Sequence, residues 1–373
     1  MKKALFIFTL ICFVNFSNSQ DYDFKTVIDL EATDVISQGR TGTCWSFSAS
    51  SFLESEIMRL TGKTIDISEM YNVRHTYPKK AWIYVMRQGK AQFSQGGLAH
   101  DVMNSINEFG LVPSYVYSGL KEGQEGHDHS KLVKELKKTL EVYLKDTKAY
   151  KTDWKQDIAT ILDNTIGNDV TTFNYEGVQY TPKSFLEITK IKPIDYVSIT
   201  SFSHAPYYSE FVLNIPDNFS NGSFYNVPLN EMISIIDNAL ENGFTIELDC
   251  DVSEKTFSSK HGLAIIPEDG IASDFALLNA GKEMAISQEY RQQEFENYNT
   301  TDDHLMHITG MLKDQNGTTY YKVKNSWGKN PERTTNDGYI YMSEAYMRLK
   351  TISVMVHKDA VPKTVKEKFS SLN

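Results

Sequence analysis

Cys44 lies where a glycine-bearing turn, Gln38-Gly39-Arg40-Thr41-Gly42-Thr43, gives way to Trp45-Ser46-Phe47 and an apolar-periodic run. Ala49, Phe52, Leu53, Ile57 and Leu60 then recur at three- and four-residue steps, the period of one helix face, and Gly62 supplies a stop. The thiol thus falls at a predicted helix N-terminus, where unpaired N–H groups and the positive end of the helix dipole favour thiolate, the attacking species. A nucleophile of this kind needs a base, a group that orients the base, and donors for the oxyanion formed when a carbonyl is attacked. The run Asp302-Asp303-His304-Leu305-Met306-His307-Ile308-Thr309-Gly310 offers His307 as the base, with His304 as a rival three residues earlier. Lys322-Val323-Lys324-Asn325-Ser326-Trp327-Gly328 offers Asn325 as the orienting group, and Gln38 is placed to donate its amide to the oxygen that the Cys44 N–H would meet.

Taken singly, each has a plainer reading. A free cysteine is more often an inert small hydrophobe than a nucleophile. A histidine flanked by Leu305, Met306 and Ile308 fits a core strand, and Gly96-Gly97 fits a helix-entry turn as well as a close approach to substrate. Cys250, after the strand-like 244–249, reads as structural. A Cys44–Cys250 disulfide would disable the nucleophile, so no disulfide framework is expected.

These groups need two kinds of element to hold them. Periodicity predicts helices over 45–60, 68–77, 98–109, 130–144 and 154–166, with Pro113 closing the third and a lysine-rich solvated face on the fourth. Strands are predicted at 194–200 and 245–250 with a helix over 227–241 between them, then at 307–311, 320–324, 339–342 and 352–356. A turn at 314–317 makes 307–311 and 320–324 a hairpin, which brings His307 and Asn325 together across eighteen positions. The expected architecture is α+β and two-lobed: a helical lobe over 20–193 carrying Cys44, with an insertion at about 121–192, facing a β-rich, barrel-like antiparallel lobe over 194–358 carrying His307 and Asn325. Residues 359–373 form a C-terminal tail.

The leader is a second signal. Met1-Lys2-Lys3 is basic, residues 4–16 are almost wholly apolar, and Ser17-Asn18-Ser19-Gln20 supplies small residues suited to cleavage. Thirteen apolar residues are too few for a bilayer core that takes about 20, so residues 1–19 are expected to be a removable signal peptide. The mature chain is expected to be exported, periplasmic or extracellular, with no membrane insertion. Net charge is −10, and loss of Lys2 and Lys3 takes it to −12, which disfavours nucleic acid and anionic membranes as partners. In a host with an endoplasmic reticulum, Asn218, Asn221, Asn299 and Asn316 would be glycosylation acceptors.

The glutamine six before the cysteine, the Cys-Trp-Ser-Phe run, the late histidine and the Asn-Ser-Trp-Gly tetrapeptide together resemble the papain-like cysteine peptidases, in the branch of bleomycin hydrolases and bacterial aminopeptidase C. Asp66-Ile67-Ser68-Glu69-Met70, Gln95-Gly96-Gly97, Cys250-Asp251-Val252 and Gly338-Tyr339-Ile340-Tyr341-Met342 extend the resemblance over roughly residues 36–362, thinly between about 121 and 240. It implies amide hydrolysis through a thioester acyl-enzyme by Cys44, His307, Asn325 and Gln38, with Gly96, Gly97, Met306 and Trp327 contributing to substrate binding and Trp327 shielding the asparagine. A peptide is the implied partner; no cofactor or metal is expected. That branch carries a C-terminal arm in the cleft, which makes it an aminopeptidase, and a helical insertion that assembles a hexamer. Here 360–373 is shorter than the arm and the insertion is reduced, which counts against the exopeptidase limit and the hexamer; the branch-level resemblance still favours amino-terminal trimming over endopeptidase action, and a homo-oligomer stays open. A transglutaminase-like acyltransferase and a catalytically dead peptide-binding homologue are the readings from other classes.

Overall fold

The structure, a computed structural model, describes residues 21–369. Its helices are α1 (Cys44–Thr61), α2 (Glu69–Met86), α3 (Ala99–Phe109), α4 (Leu132–Lys145), α5 (Trp154–Ile166), α6 (Pro182–Thr189), α7 (Leu229–Glu241), α8 (Ser273–Ala276), α9 (Gln288–Glu296), α10 (Glu344–Lys350) and α11 (Lys363–Lys366). Its strands are β1 (Lys25–Asp29), β2 (Phe173–Tyr175), β3 (Val178–Tyr180), β4 (Tyr196–Thr200), β5 (Glu210–Val212), β6 (Ser223–Asn226), β7 (Ile246–Cys250), β8 (Phe257–Ser258), β9 (Leu263–Ala264), β10 (His304–Lys313), β11 (Thr319–Lys324), β12 (Tyr339–Ser343) and β13 (Thr351–His357).

Helix α1 ends where its sequence says it should: Gly62 takes the left-handed conformation, φ +70°, and its N–H bonds Met58 O at 2.8 Å. Helix α2 starts at Ser68, whose hydroxyl accepts the Tyr71 N–H. It then runs on through Pro78 to Met86 instead of stopping at 77. A proline removes one backbone bond, but the residues beyond it bury Lys80, Ala81, Tyr84 and Val85 against the helical core, and that packing holds the continuation.

All strands but the β2–β3 hairpin join one sheet in the order β5-β6-β4-β13-β7-β10-β11-β12-β9-β8, with β1 paired to β10. Most pairings are antiparallel; β4–β6 and β12–β9 are parallel, and the order is open at both ends, so the barrel-like lobe expected from sequence is a long mixed sheet. Residues 25–29, ahead of the first helix, belong to it, so the β-rich part draws on both ends of the chain.

Alternation along β10 sorts its side chains between two cores. Leu305 faces the helical side with Phe52 and Tyr196, whereas Met306 and Ile308 pack on the other side with Ile246, Leu248 and the α7 residues Ile235 and Ile236. Helix α1 lies against β10 on the first side, so its N-terminal residue, Cys44, arrives at the mouth of that strand.

Candidate active site

Cys44 is the first residue of α1 and is buried, with 8% of its surface exposed. Its sulfur receives the main-chain N–H of Leu305, the residue that follows His304 at the start of β10. Burial pushes the thiol up to about 12, and the charges of Asp302, Asp217 and Asp249 push the same way. Desolvation therefore outweighs the helix N-terminus, and the resting group is a thiol, not the thiolate the sequence suggested. Burial also holds His304 down to about 4, so the resting imidazole is neutral, with a ring nitrogen able to accept a proton.

The orienting contact runs to His304. Its Nε2 lies 2.8 Å from Asn325 Oδ1, which also accepts the Ser326 N–H at 2.7 Å. An amide oxygen only accepts, so Nε2 carries the proton and Nδ1 is left with a free lone pair, the tautomer a base requires. Trp327 stacks on the imidazole at 4.8 Å and 30°, covering the His304–Asn325 bond from solvent.

His307, the expected base, is elsewhere. The strand begins at His304, three residues earlier than its apolar run suggests, and His307 lies opposite Lys324 well inside the hairpin. It points to α1: Nδ1 is 2.9 Å from Ser51 Oγ, the ring meets Phe52 edge-on at 6.1 Å, and the residue is fully buried. Lys324 donates to the same Ser51 hydroxyl at 2.7 Å, and burial with this neighbouring cation keeps the His307 ring neutral. His307 and Lys324, with Glu54 and Glu69, line a cavity of about 430 Å³ to which neither Cys44 nor His304 contributes. His307 is thus a bonded core histidine, and His304 is the histidine that meets Asn325.

Gln38 is 7% exposed and tied down at both ends of its amide: Nε2 donates to Thr41 O at 2.6 Å and Oε1 accepts from Ser326 Oγ at 2.5 Å. Its backbone N–H bonds Ser326 O at 2.9 Å, and Ser37 pairs with Trp327. Gln38 and the Asn-Ser-Trp-Gly loop are therefore one bonded unit, with the second Nε2 hydrogen of Gln38 left over; Cys44 begins α1 six residues on and offers its own main-chain N–H. That N–H, in the first turn of α1, has no helical carbonyl to bond.

The remaining expectations divide. Gly97 packs against the Trp45 indole, and Gly96 lies under the Asp217 carboxylate: a Cβ on Gly96 would fall 1.8 Å from Asp217 Oδ2. Met306 is 1% exposed, its side chain packed in the core with Ile246, Leu248 and the α7 residues. Cys250 is a buried free thiol, as is Cys44. Gln95, Ser326, Asp217 and Asp302 complete the neighbourhood without having been singled out in the sequence. Gln95 takes the Gly42 N–H on its side chain at 2.8 Å and the Trp45 indole N–H on its carbonyl at 3.0 Å. Its position beside Gly96-Gly97 was the signal for it. The last described residues pack far from Cys44, Phe369 lying edge-on to Tyr225 at 5.0 Å and Val365 in the rear core.

The model of the Peptidase C1-like family matches residues 12–372. Aminopeptidase C of Listeria monocytogenes is 25% identical over 390 residues, covering 91% of this chain and 83% of its own. Aminopeptidase G of Lactobacillus delbrueckii subsp. lactis is 24% identical over 388 residues, covering 92% and 85%. The mitochondrial cysteine proteinase 1 of Saccharomyces cerevisiae is 22% identical over 399 residues, covering 93% and 79%. Among solved structures, PepW from Lactobacillus rhamnosis shares the fold, with a TM-score of 0.73 at 18% identity over 92% of this chain and 84% of its own. The chain belongs to the Peptidase C1-like family and is a cysteine-type peptidase.

Proposed function

We propose that the protein is an aminopeptidase that removes residues from the free amino ends of peptides, with Cys44 as nucleophile, His304 as base and acid, Asn325 orienting His304, and Gln38 with the Cys44 N–H holding the oxyanion. The observation that carries the chemistry is the His304–Asn325 bond at the mouth of β10, one residue from the N–H that touches the Cys44 sulfur. The preference for amino ends is supported by the relatives named aminopeptidase C and G.

The thiol proton passes to His304 Nδ1 as sulfur bonds the scissile carbonyl carbon. The oxyanion meets the Cys44 N–H and the free Gln38 amide hydrogen. His304 then gives its proton to the departing amine as the C–N bond breaks, leaving a thioester. Water adds to the thioester, His304 accepts its proton, and the carboxylic acid leaves as the thiol re-forms. The test is hydrolysis of a peptide with a free amino terminus and of its acetylated twin by the protein and by Cys44→Ala. Trimming of the free peptide alone, lost in the variant, is the expected result; internal cleavage of the acetylated peptide would replace the aminopeptidase with an endopeptidase.

Export belongs to the same proposal and rests on the leader sequence. Residues 1–20 lie outside the described residues; within those described, no helix is long and apolar enough to cross a membrane. The intact mass of protein recovered outside the cytoplasm, expected to begin at Gln20, tests it.

A further inference from the structure

The loop between β5 and β6, residues 213–222, crosses from the sheet to the helical side and seats on the glycine pair beside Cys44. Its shape is fixed from within: Asn218 Nδ2 donates to Leu213 O and Gly222 O, both at 2.9 Å, and Asn218 Oδ1 accepts the Gly222 N–H at 2.8 Å. Its seat is fixed from without. Ser220 Oγ is 3.0 Å from His100 Nε2, Arg87 donates to Asn221 Oδ1 at 3.1 Å, and the buried Phe219 ring lies under the Lys80 ammonium at 4.6 Å. Lys80 in turn donates to Gly96 O. The loop is a strap across the groove at Gly96.

At its tip is Asp217. Gln92 Nε2 and Ser94 Oγ donate to Oδ1, at 3.1 and 3.3 Å, while Oδ2 is the oxygen turned toward Gly96 and takes no hydrogen bond among the described residues. Asp302, two residues before His304, has a buried carboxyl that meets the Asp217 main-chain N–H and the Asp249 carboxyl, so two acidic groups share one site there. All three charges act on Cys44, and Gly97, next to the glycine that Asp217 covers, packs on the indole of Trp45, the residue after the nucleophile. Among the described residues Lys80 is the cation that acts on Asp217, and its ammonium is already engaged by Gly96 O and the Phe219 face. Burial and the neighbouring Asp217 push Asp302 up to about 7, the response of a carboxyl short of positive charge.

We propose that Asp217, carried on the 213–222 strap and backed by Asp302, is the acceptor for the substrate's free α-ammonium, and that the strap ends the groove one residue to the amino side of the cleaved bond. The proposal rests on the aminopeptidase reading above and gives its amino-end limit a physical source within the sheet. A bound ammonium completes the charge balance that Lys80 alone leaves short, and the strap leaves no room for a chain that continues past it. An acetylated terminus brings neither the charge nor the small size the closed end requires.

The experiment compares alanyl-aminomethylcoumarin, its N-acetyl form and acetyl-lysyl-alanyl-aminomethylcoumarin on the parent enzyme, Asp217→Asn and Asp302→Asn, with Cys44 alkylation by iodoacetamide as a fold control. The parent should favour the free amine. Asp217→Asn should raise its KM at least tenfold and erase the preference over the acetylated form, with Cys44 alkylated at least as fast as in the parent, since a charge that opposes the thiolate is gone; Asp302→Asn should weaken the same preference. A variant pair that keeps the parent's preference overturns the role of Asp217 while leaving the aminopeptidase intact. A parent that favours the acetylated substrate overturns the aminopeptidase reading itself. A parent that favours the acetyl-lysyl substrate, lost in Asp217→Asn, shows that the cation held is a side chain and overturns the α-ammonium assignment.

Discussion

At the level of single residues, the assignment of base to His304 and of packing to His307 separates two variants that sequence spacing treats as alike. His304→Ala removes the proton acceptor and should lower kcat by about 10²- to 10⁴-fold with little change in melting temperature. His307→Ala leaves the buried Ser51 hydroxyl without its imidazole partner and opens space under α1. It should cost about 2–4 kcal/mol of stability, with kcat retained per folded molecule, as read by active-site titration against denaturant melts. If instead His307→Ala abolished turnover at full stability, the assignment would be reversed. Gln38→Ala should lower kcat by about 10²- to 10³-fold, the usual loss of one oxyanion donor, with KM changed less. Cys44, Gln38 and Asn325 were legible because each sits in a distinctive local run. The histidine was not: in Asp-Asp-His-Leu-Met-His, a step of three residues crosses to the other face of a strand, and only the register with β7 and β11 says which face meets Asn325.

Helices α1 and α3 and the hairpin of β10 and β11 were readable from period and turn chemistry, because each carries its own apolar face and stop. Helices α9 and α10 were not, since α9 is polar through Gln288–Glu296 and holds its place by single long side chains such as Arg291, which bonds Ser201 O at 2.8 Å and Arg348 O at 3.0 Å. Strand β7 supplies a pH-dependent prediction. Glu247 is 1% exposed, takes the Ser48 hydroxyl at 3.3 Å, and is pushed up to about 8 by burial, with Asp302 adding to it. The folded protein therefore keeps a proton that the unfolded chain releases between the ordinary glutamate value and about pH 8. Stability from this group is present at low pH and falls as pH rises through that window. Glu247→Gln, which keeps the bond to Ser48, should gain on the parent by on the order of a few kcal/mol between pH 5 and pH 9. Equal pH dependence of the two melts would show that Glu247 is ionised in the folded state.

On the scale of the whole molecule, the two candidates for closing the groove lie on opposite sides of the sheet. The strap comes from the β5–β6 edge and seats against α2 and α3, whereas the C-terminal segment passes behind the sheet. There Val361, Val365 and Phe369 are buried with the α7 residues, and Lys368 bonds Glu231 at 2.5 Å. None of this could be read along the chain. Residues 213–222 look like turn formers and glycosylation acceptors, yet Asn218 is 6% exposed and spends both ends of its amide inside the strap, so a glycan there would break the loop. Removal of residues 363–373 tests which element sets the amino-end limit. It withdraws two buried apolar side chains, Val365 and Phe369, and should lower stability by on the order of 3–6 kcal/mol. Because the segment packs on the rear core and not beside Gly96, the truncated enzyme, assayed below its melting temperature, should keep the parent's ratio of kcat/KM for free over acetylated substrate. Loss of that ratio in a protein whose Cys44 still alkylates at the parent's rate would move the limit from the strap to the tail.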